Sequence, residues 1–263
     1  MQKQNHPYHI IDQRPWPIIS ATITILIIIN FISIFQKHKI YLRFLTFTFL
    51  LLIIYTWWQD VTRERTFKGL HSFKTIKRLK TGIILFIISE VIFFFSFFWT
   101  FFHSSLNPVI ELGYNWPPTA IQYLNYIEVP LLNSLVLLTS GVTVTISHHY
   151  ILSKKNITKA NLYIIITIIL GLYFTILQAI EYIQTSYTLA DSVYGSIFFV
   201  TTGFHGLHVI IGSSFLLVIL IRILKAHLSN THHVGLESSI WYWHFVDVVW
   251  LFLYTFVYWW GSY

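Results

Sequence analysis

The sequence predicts an all-α integral-membrane protein of seven transmembrane helices, and three observations carry that prediction. The 263 residues are 55% hydrophobic and 19% aromatic but only 10% charged, against roughly 25% charged in a soluble domain. Apolar stretches near the length of about 20 residues needed to cross a bilayer follow one another with short connections. Lys and Arg fall almost wholly on one side of those stretches. No Ser/Pro/Gly-rich linker interrupts the chain, so residues 1–263 are expected to form a single membrane domain, with helices 1–2 at about 16–66 and helices 3–7 at about 73–261.

In chain order the expected spans are Trp16–Gln36, Ile40–Gln59, Leu79–His103, Val129–Leu152, Leu162–Ile183, Val193–Leu224 and Ile240–Trp260. Trp16 opens the first, Trp57 and Trp58 close the second, and Trp259 and Trp260 close the last, where aromatic rings sit at membrane interfaces. The third and sixth are long enough to continue as helix beyond the lipid. The fourth begins "EVP", an acid at the positive dipole end with Pro130 in the first turn. Between the third and fourth spans, "NPVIELGYNWPPTAIQYLNYIEVP" has no basic residue and is expected to form an ordered lid.

Seven spans put the termini on opposite sides. Lys3, Arg14, Arg63, Arg65, Lys68, Lys74, Lys77, Arg78, Lys80, Lys154, Lys155, Lys159, Arg222 and Lys225 then share the N-terminal side, against Lys37, Lys39 and Arg43 on the other. This positive-inside bias places the N-terminus in the cytoplasm or the mitochondrial matrix. It also explains the net charge of +7 without a nucleic-acid partner. Residues 1–15 include Asp12, are not Arg-rich and lack a cleavable pattern, so the N-terminus reads as mature. With no cysteine, disulfides, thiolate metal sites and a Cys nucleophile are excluded.

Within "FIISEVIFFFSFFW", Glu90 stands among isoleucines and phenylalanines, where an ionised group costs several kcal/mol and is rarely retained without function. Counted from Lys80, it lies about 15 Å deep at about 1.5 Å per residue. His208, counted from Arg222, lies nearest the same level. Glu90 is therefore expected to be buried and hydrogen-bonded to a histidine, His208 before His205 or His244. His205 and His208 stand at i and i+3, as a ligand pair would, but Gly203, Gly206 and Gly212 around them favour close helix packing. His244 and Asp247 repeat the spacing and are expected to satisfy each other. The pairs His148/His149 and His232/His233 lie near helix ends. No nucleophile triad, phosphate loop or pair of catalytic carboxylates is present, and no catalytic residue is assigned.

Together and in this order, "WWQDVTRE" (Trp57–Glu64), "ILFIISEVIFFFSFFWTFFHSSL" (Ile84–Leu106), "ELGYNWPP" (Glu111–Pro118), "VPLLNS" (Val129–Ser134), "SGVTVT" (Ser140–Thr145), "VYGSIFFVTTGFHGLHVIIGS" (Val193–Ser213) and "WYWHFVDVVWLFLY" (Trp241–Tyr254) closely resemble subunit III of the haem-copper cytochrome c oxidases. The resemblance runs from His6 nearly to the end. It departs where Ile146 and Ser147 replace the usual Trp and Ala, and where Gln59 stands for a common Arg.

That resemblance implies two-helix and five-helix bundles separated by a V-shaped, lipid-filled cleft. It also implies a subunit with no active site and no haem, copper or other metal of its own, the cofactors belonging to partner subunits. Its partners would be subunit I as the main contact, subunit II, small accessory subunits and phospholipids. Its role would be to stabilise subunit I and support proton uptake during oxygen reduction. Length fits the mitochondrial form, with the N-terminus in the matrix and the C-terminus in the intermembrane space. Lipid head groups are expected at Arg63, Glu64, His71, Trp57 and Trp58 after the second span, and at Arg222, Lys225 and His227 after the sixth, since guanidinium binds phosphate in a fork and Lys adds a point charge. The alternatives are a stand-alone proton channel or transporter relaying through Glu90 and Glu181, a haem- or metal-bearing redox subunit, and a quinol-oxidase subunit III.

Overall fold

Seven α-helices follow one another: α1 (Trp16–Ile32), α2 (Tyr41–Thr66), α3 (Phe73–Leu106), α4 (Val129–Leu152), α5 (Ile157–Gln184), α6 (Val193–Leu224) and α7 (Val234–Phe252). A π-helical stretch, Leu253–Trp259, and a 3-10 turn, Trp260–Ser262, prolong α7. The computed structural model describes residues 8–32, 41–110, 113–119, 121–153, 156–228 and 233–262, with residues 41–43 in backbone only. Lys3, Lys37, Lys39, Glu111, Lys154, Lys155 and His232 lie outside the described residues. Among the described residues, six helices are long and apolar enough to cross a membrane, and α1 as described is a shorter apolar helix of 17 residues.

Helix ends follow local chemistry. Pro130 is the second residue of α4, where a missing N–H costs no helical bond. Glu128 precedes α4 without capping it; its carboxylate accepts from Asn125 Nδ2 at 2.8 Å. Asn156 caps α5 by accepting the Lys159 N–H, as an N-cap side chain should. α6 stops where Ala226 takes φ +53° and the His227 N–H returns to Arg222 O at 2.9 Å. That left-handed turn is one glycine usually supplies.

The chain divides into two compact units, up to Leu79 and from Lys80 onward, so the boundary falls inside α3 rather than in the turn before it. In the first unit, α1 and α2 are tied at both ends, by Trp16 Nε1 donating to Asp60 Oδ2 at 2.7 Å and by Asn30 Nδ2 donating to Thr46 Oγ1 at 3.3 Å. The interior of the unit is thin, and most apolar residues of both helices are exposed. Such surface suits lipid or another membrane protein.

The second unit has a deep core centred on α7, where Trp243, Val246, Trp250 and Leu253 are at most 1% exposed. Indole N–H groups bond across to α4: Trp243 Nε1 donates to Ser140 Oγ at 2.9 Å and Trp250 Nε1 to Ser134 Oγ at 3.0 Å. Where no water can pair a buried donor, such bonds offset the cost of burying it. Trp243 also lies against two glycines. A Cβ on Gly171 of α5 would come within 2.6 Å of the ring, and one on Gly212 of α6 within 3.0 Å. Of the three glycines expected to admit a neighbouring helix, only Gly212 does so. Gly203 would meet only the Tyr182 hydroxyl at 3.8 Å and Gly206 nothing within 4 Å.

In the segment before α4, Trp116 packs edge-on to Phe101 and Tyr194, with ring centroids 5.6 and 5.4 Å apart. Ile121 is buried beside them. The described part of this segment is thus fixed by aromatic packing onto α3 and α6.

Candidate functional site

In α3, Glu90 points to α6. Its Oε2 lies 3.0 Å from His208 Nε2, and the ring's other nitrogen, Nδ1, lies 2.6 Å from Phe204 O. A carbonyl only accepts, so Nδ1 carries the proton. Nε2 then either accepts from a protonated Glu90 or, as imidazolium, donates to an ionised one. Both descriptions contain the same single proton between Oε2 and Nε2 and the same net charge of zero. This answers how a carboxylate is tolerated there: the pair is neutral in sum whichever atom holds the proton. The rings of Phe94, Tyr242 and Phe245 pack around His208 at centroid distances of 5.1, 6.2 and 6.2 Å. Glu90 is not fully enclosed by this chain, its side chain being 22% exposed. α3 surrounds it with outward-facing Ile88, Val91 and Ile92.

His205 and His208 do not converge on one ligand. His205 is 1% exposed, its Nε2 donating to Val246 O of α7 at 3.2 Å and its ring against Phe174 and Trp250. It is a helix-packing group. His244 Nδ1 lies 3.7 Å from Asp247 Oδ2, within ion-pair range but long for a hydrogen bond. Asp247 Oδ2 sits beside Gly141 of α4, where a Cβ would come within 2.7 Å of it. Glu181, buried in α5, accepts from Tyr258 Oη at 2.6 Å, and Gln178 Nε2 donates to the same Oη at 3.2 Å. Tyr258 stands in the π-helical stretch, a distortion frequent at functional positions that no Pro or Gly within Leu253–Trp259 announces.

The residues proposed for lipid sort by exposure. Trp58 and Arg63 are open, Arg63 lying 3.9 Å from Asp60, while Trp57 is half-buried. Glu64 is buried and holds neither Arg63 nor the surface. Its Oε1 pairs with Arg14 and its Oε2 with His9 Nε2 at 3.2 Å, clamping the segment before α1 onto the end of α2. His71 is half-buried, its ring edge-on to His9 with centroids 5.3 Å apart. Burial, with further contributions from His9 and Arg65, pushes its pKa down to about 4. Burial first, then Arg14, lowers that of His9, against a smaller opposing effect of Asp12. Sequence reading missed His9 altogether, since nothing local marks a residue whose partner is 55 positions away. In the second unit, Arg222 lies in the last turn of α6 with Nη1 3.1 Å from where a Gly235 Cβ would stand. Lys225 is exposed and His227 half-buried.

A model of the cytochrome c oxidase subunit III family matches residues 6–262. The chain is 55% identical to "Cytochrome c oxidase subunit 3" of Struthio camelus over 262 residues, all of both chains. Proteins of the same name from Pisaster ochraceus and Drosophila melanogaster are 55% and 52% identical, over 98% of each chain in both cases. With family and relatives matched from end to end, the chain belongs to the cytochrome c oxidase subunit III family.

Proposed function

We propose that this chain is a non-catalytic core subunit of a proton-pumping mitochondrial cytochrome c oxidase that stabilises subunit I, holds phospholipid and supports proton uptake while partner subunits reduce oxygen on their haem and copper. The Glu90–His208 bond carries this reading. It joins two ionisable groups within the hydrophobic part of α3 and α6, which a purely packing role would not require. The N-terminus lies in the matrix and the C-terminus in the intermembrane space, on the strength of the Lys/Arg bias. Exposed apolar residues along α3, among them Ile84, Val91, Phe95 and Trp99, suit burial against lipid and a larger membrane subunit.

Glu90→Gln tests the proton role. Gln keeps the shape and can still donate to His208 Nε2, so the complex should assemble. Proton uptake in turnover should fall severalfold, short of the roughly 10²-fold expected of a group that itself transfers a proton to a reacting atom. Unchanged uptake would reject the role.

Phospholipid contact is proposed separately in each unit. Trp57, Trp58 and Arg63 offer apolar rings beside an open guanidinium, His71 stands near them in sequence, and Glu64 acts from behind by fixing the segment that carries His9 and Arg14. Arg222, Lys225 and His227 provide a second cationic group at the end of α6, where a long side chain reaches the interface. The variant Arg63→Ala with Arg222→Ala should retain fewer tightly bound phospholipids in the purified complex, measured by lipid mass spectrometry. An unchanged phospholipid content would make these residues solvated topology charges.

A further inference from the structure

We infer that His9, Glu64 and His71 form an exchangeable binding site for a divalent transition cation of the zinc class. One ligand atom from each residue lies within 4.8 Å of the others. With metal–ligand bonds of about 2.0–2.2 Å, which set ligand atoms about 3.4–3.6 Å apart, a closure of at most about 1.4 Å between any two of them brings all three onto one ion. The carboxylate is already aimed. Arg14 holds Oε1, which leaves Oε2 directed at His9 Nε2, 3.2 Å away.

The site is also underused by the protein itself. Nδ1 of His9 and Nδ1 of His71 are buried and find no hydrogen-bond partner, an uncommon state for buried polar atoms. Each ring gives one nitrogen to the ion, and water at the ion's open position brings a further polar group to the cluster. Two imidazoles and one carboxylate suit zinc with a fourth position open to water. They do not suit calcium or magnesium, which take mostly oxygen ligands. The cation must share Glu64 with the Arg14 guanidinium, and that competition makes the site exchangeable rather than a permanent structural centre. Its effect would be mechanical, since the ligands come from the segment before α1, the end of α2 and the turn before α3. An ion there fastens all three. The inference does not depend on the proton or lipid roles proposed above.

The test uses the intact purified oxidase, freed of loose metal with a chelator, treated with Zn²⁺ and footprinted with diethyl pyrocarbonate, with modification of each histidine read by peptide mass spectrometry. Zn²⁺ should slow modification of His9 and His71 together and leave the exposed His103 unaffected. In Glu64→Gln the Zn²⁺ concentration giving half protection should rise by at least roughly 10- to 100-fold, since a ligand is altered and loss of a mere supporting group already costs that much. Should the variant fail to assemble, the wild-type footprint decides alone. Absence of protection, protection of only one of the two histidines, equal slowing at His103, or a Glu64→Gln response matching wild type would each overturn the site.

Discussion

Glu64→Ala should unfasten the segment before α1 from the rest of the first unit, at a cost of about 3–5 kcal/mol, the range for breaking a buried ion pair from one side. Arg14 and Glu64 are 10% and 7% exposed in their side chains, so removal of the carboxylate strands a guanidinium with little access to water. His9 loses the carboxylate that lies 3.2 Å from its Nε2 in the same step. Hydrogen exchange across residues 8–15 should rise sharply, and limited proteolysis should cut there first. Glu64→Gln should fall between the two, since an amide oxygen still accepts a hydrogen bond but brings no charge. Exchange as slow in Glu64→Ala as in wild type would show that apolar packing alone holds the segment.

Gly171→Val should be strongly damaging to the second unit. Even one added carbon would stand 2.6 Å from the Trp243 ring and 2.7 Å from Ser213 Oγ, and the ring is held in place. Trp243 is fully buried and anchored to Ser140 through its indole N–H. Overpacking of this kind costs about 1–3 kcal/mol and at times more. It would also pull on the α4–α7 hydrogen bond, so assembled oxidase should drop while free subunit is degraded. Gly206→Ala provides the contrast: nothing lies within 4 Å of its added carbon, and assembly should be unchanged. Comparable loss in both variants would contradict the account of Trp243 as the tightly seated centre of the core.

The two substitutions mark what sequence could and could not show. Hydropathy marked the lipid-crossing part of each helix, so α4 and α6 ended where Pro130 and Arg222 suggested. α2 and α5 were underestimated because "VTRERT" and "ITKAN" are helical without being apolar. Glycine spacing drew attention to "GFHG", whereas tight approaches lie elsewhere, among them Gly171, in a stretch of ordinary apolar residues. Which glycine meets a bulky partner depends on helix rotation, and a chain apolar on nearly every face leaves rotation unspecified. Depth counted from helix ends put His208 nearer the level of Glu90 than His205, because rise per residue is fixed in a helix. No such ruler linked His9 to Glu64 and His71, which meet through an extended segment and a turn.

Infrared difference spectroscopy of the intact oxidase on H/D exchange tests the Glu90–His208 hydrogen bond most directly. In wild type, the Glu90 carboxyl band and a histidine ring band should respond to the exchange together, as groups joined by one hydrogen bond. The carboxyl band should vanish in Glu90→Gln and should shift its position in His208→Asn. A Glu90 band at the same position with and without His208 would contradict the account, leaving the 3.0 Å contact as a neighbourhood without a common hydrogen bond.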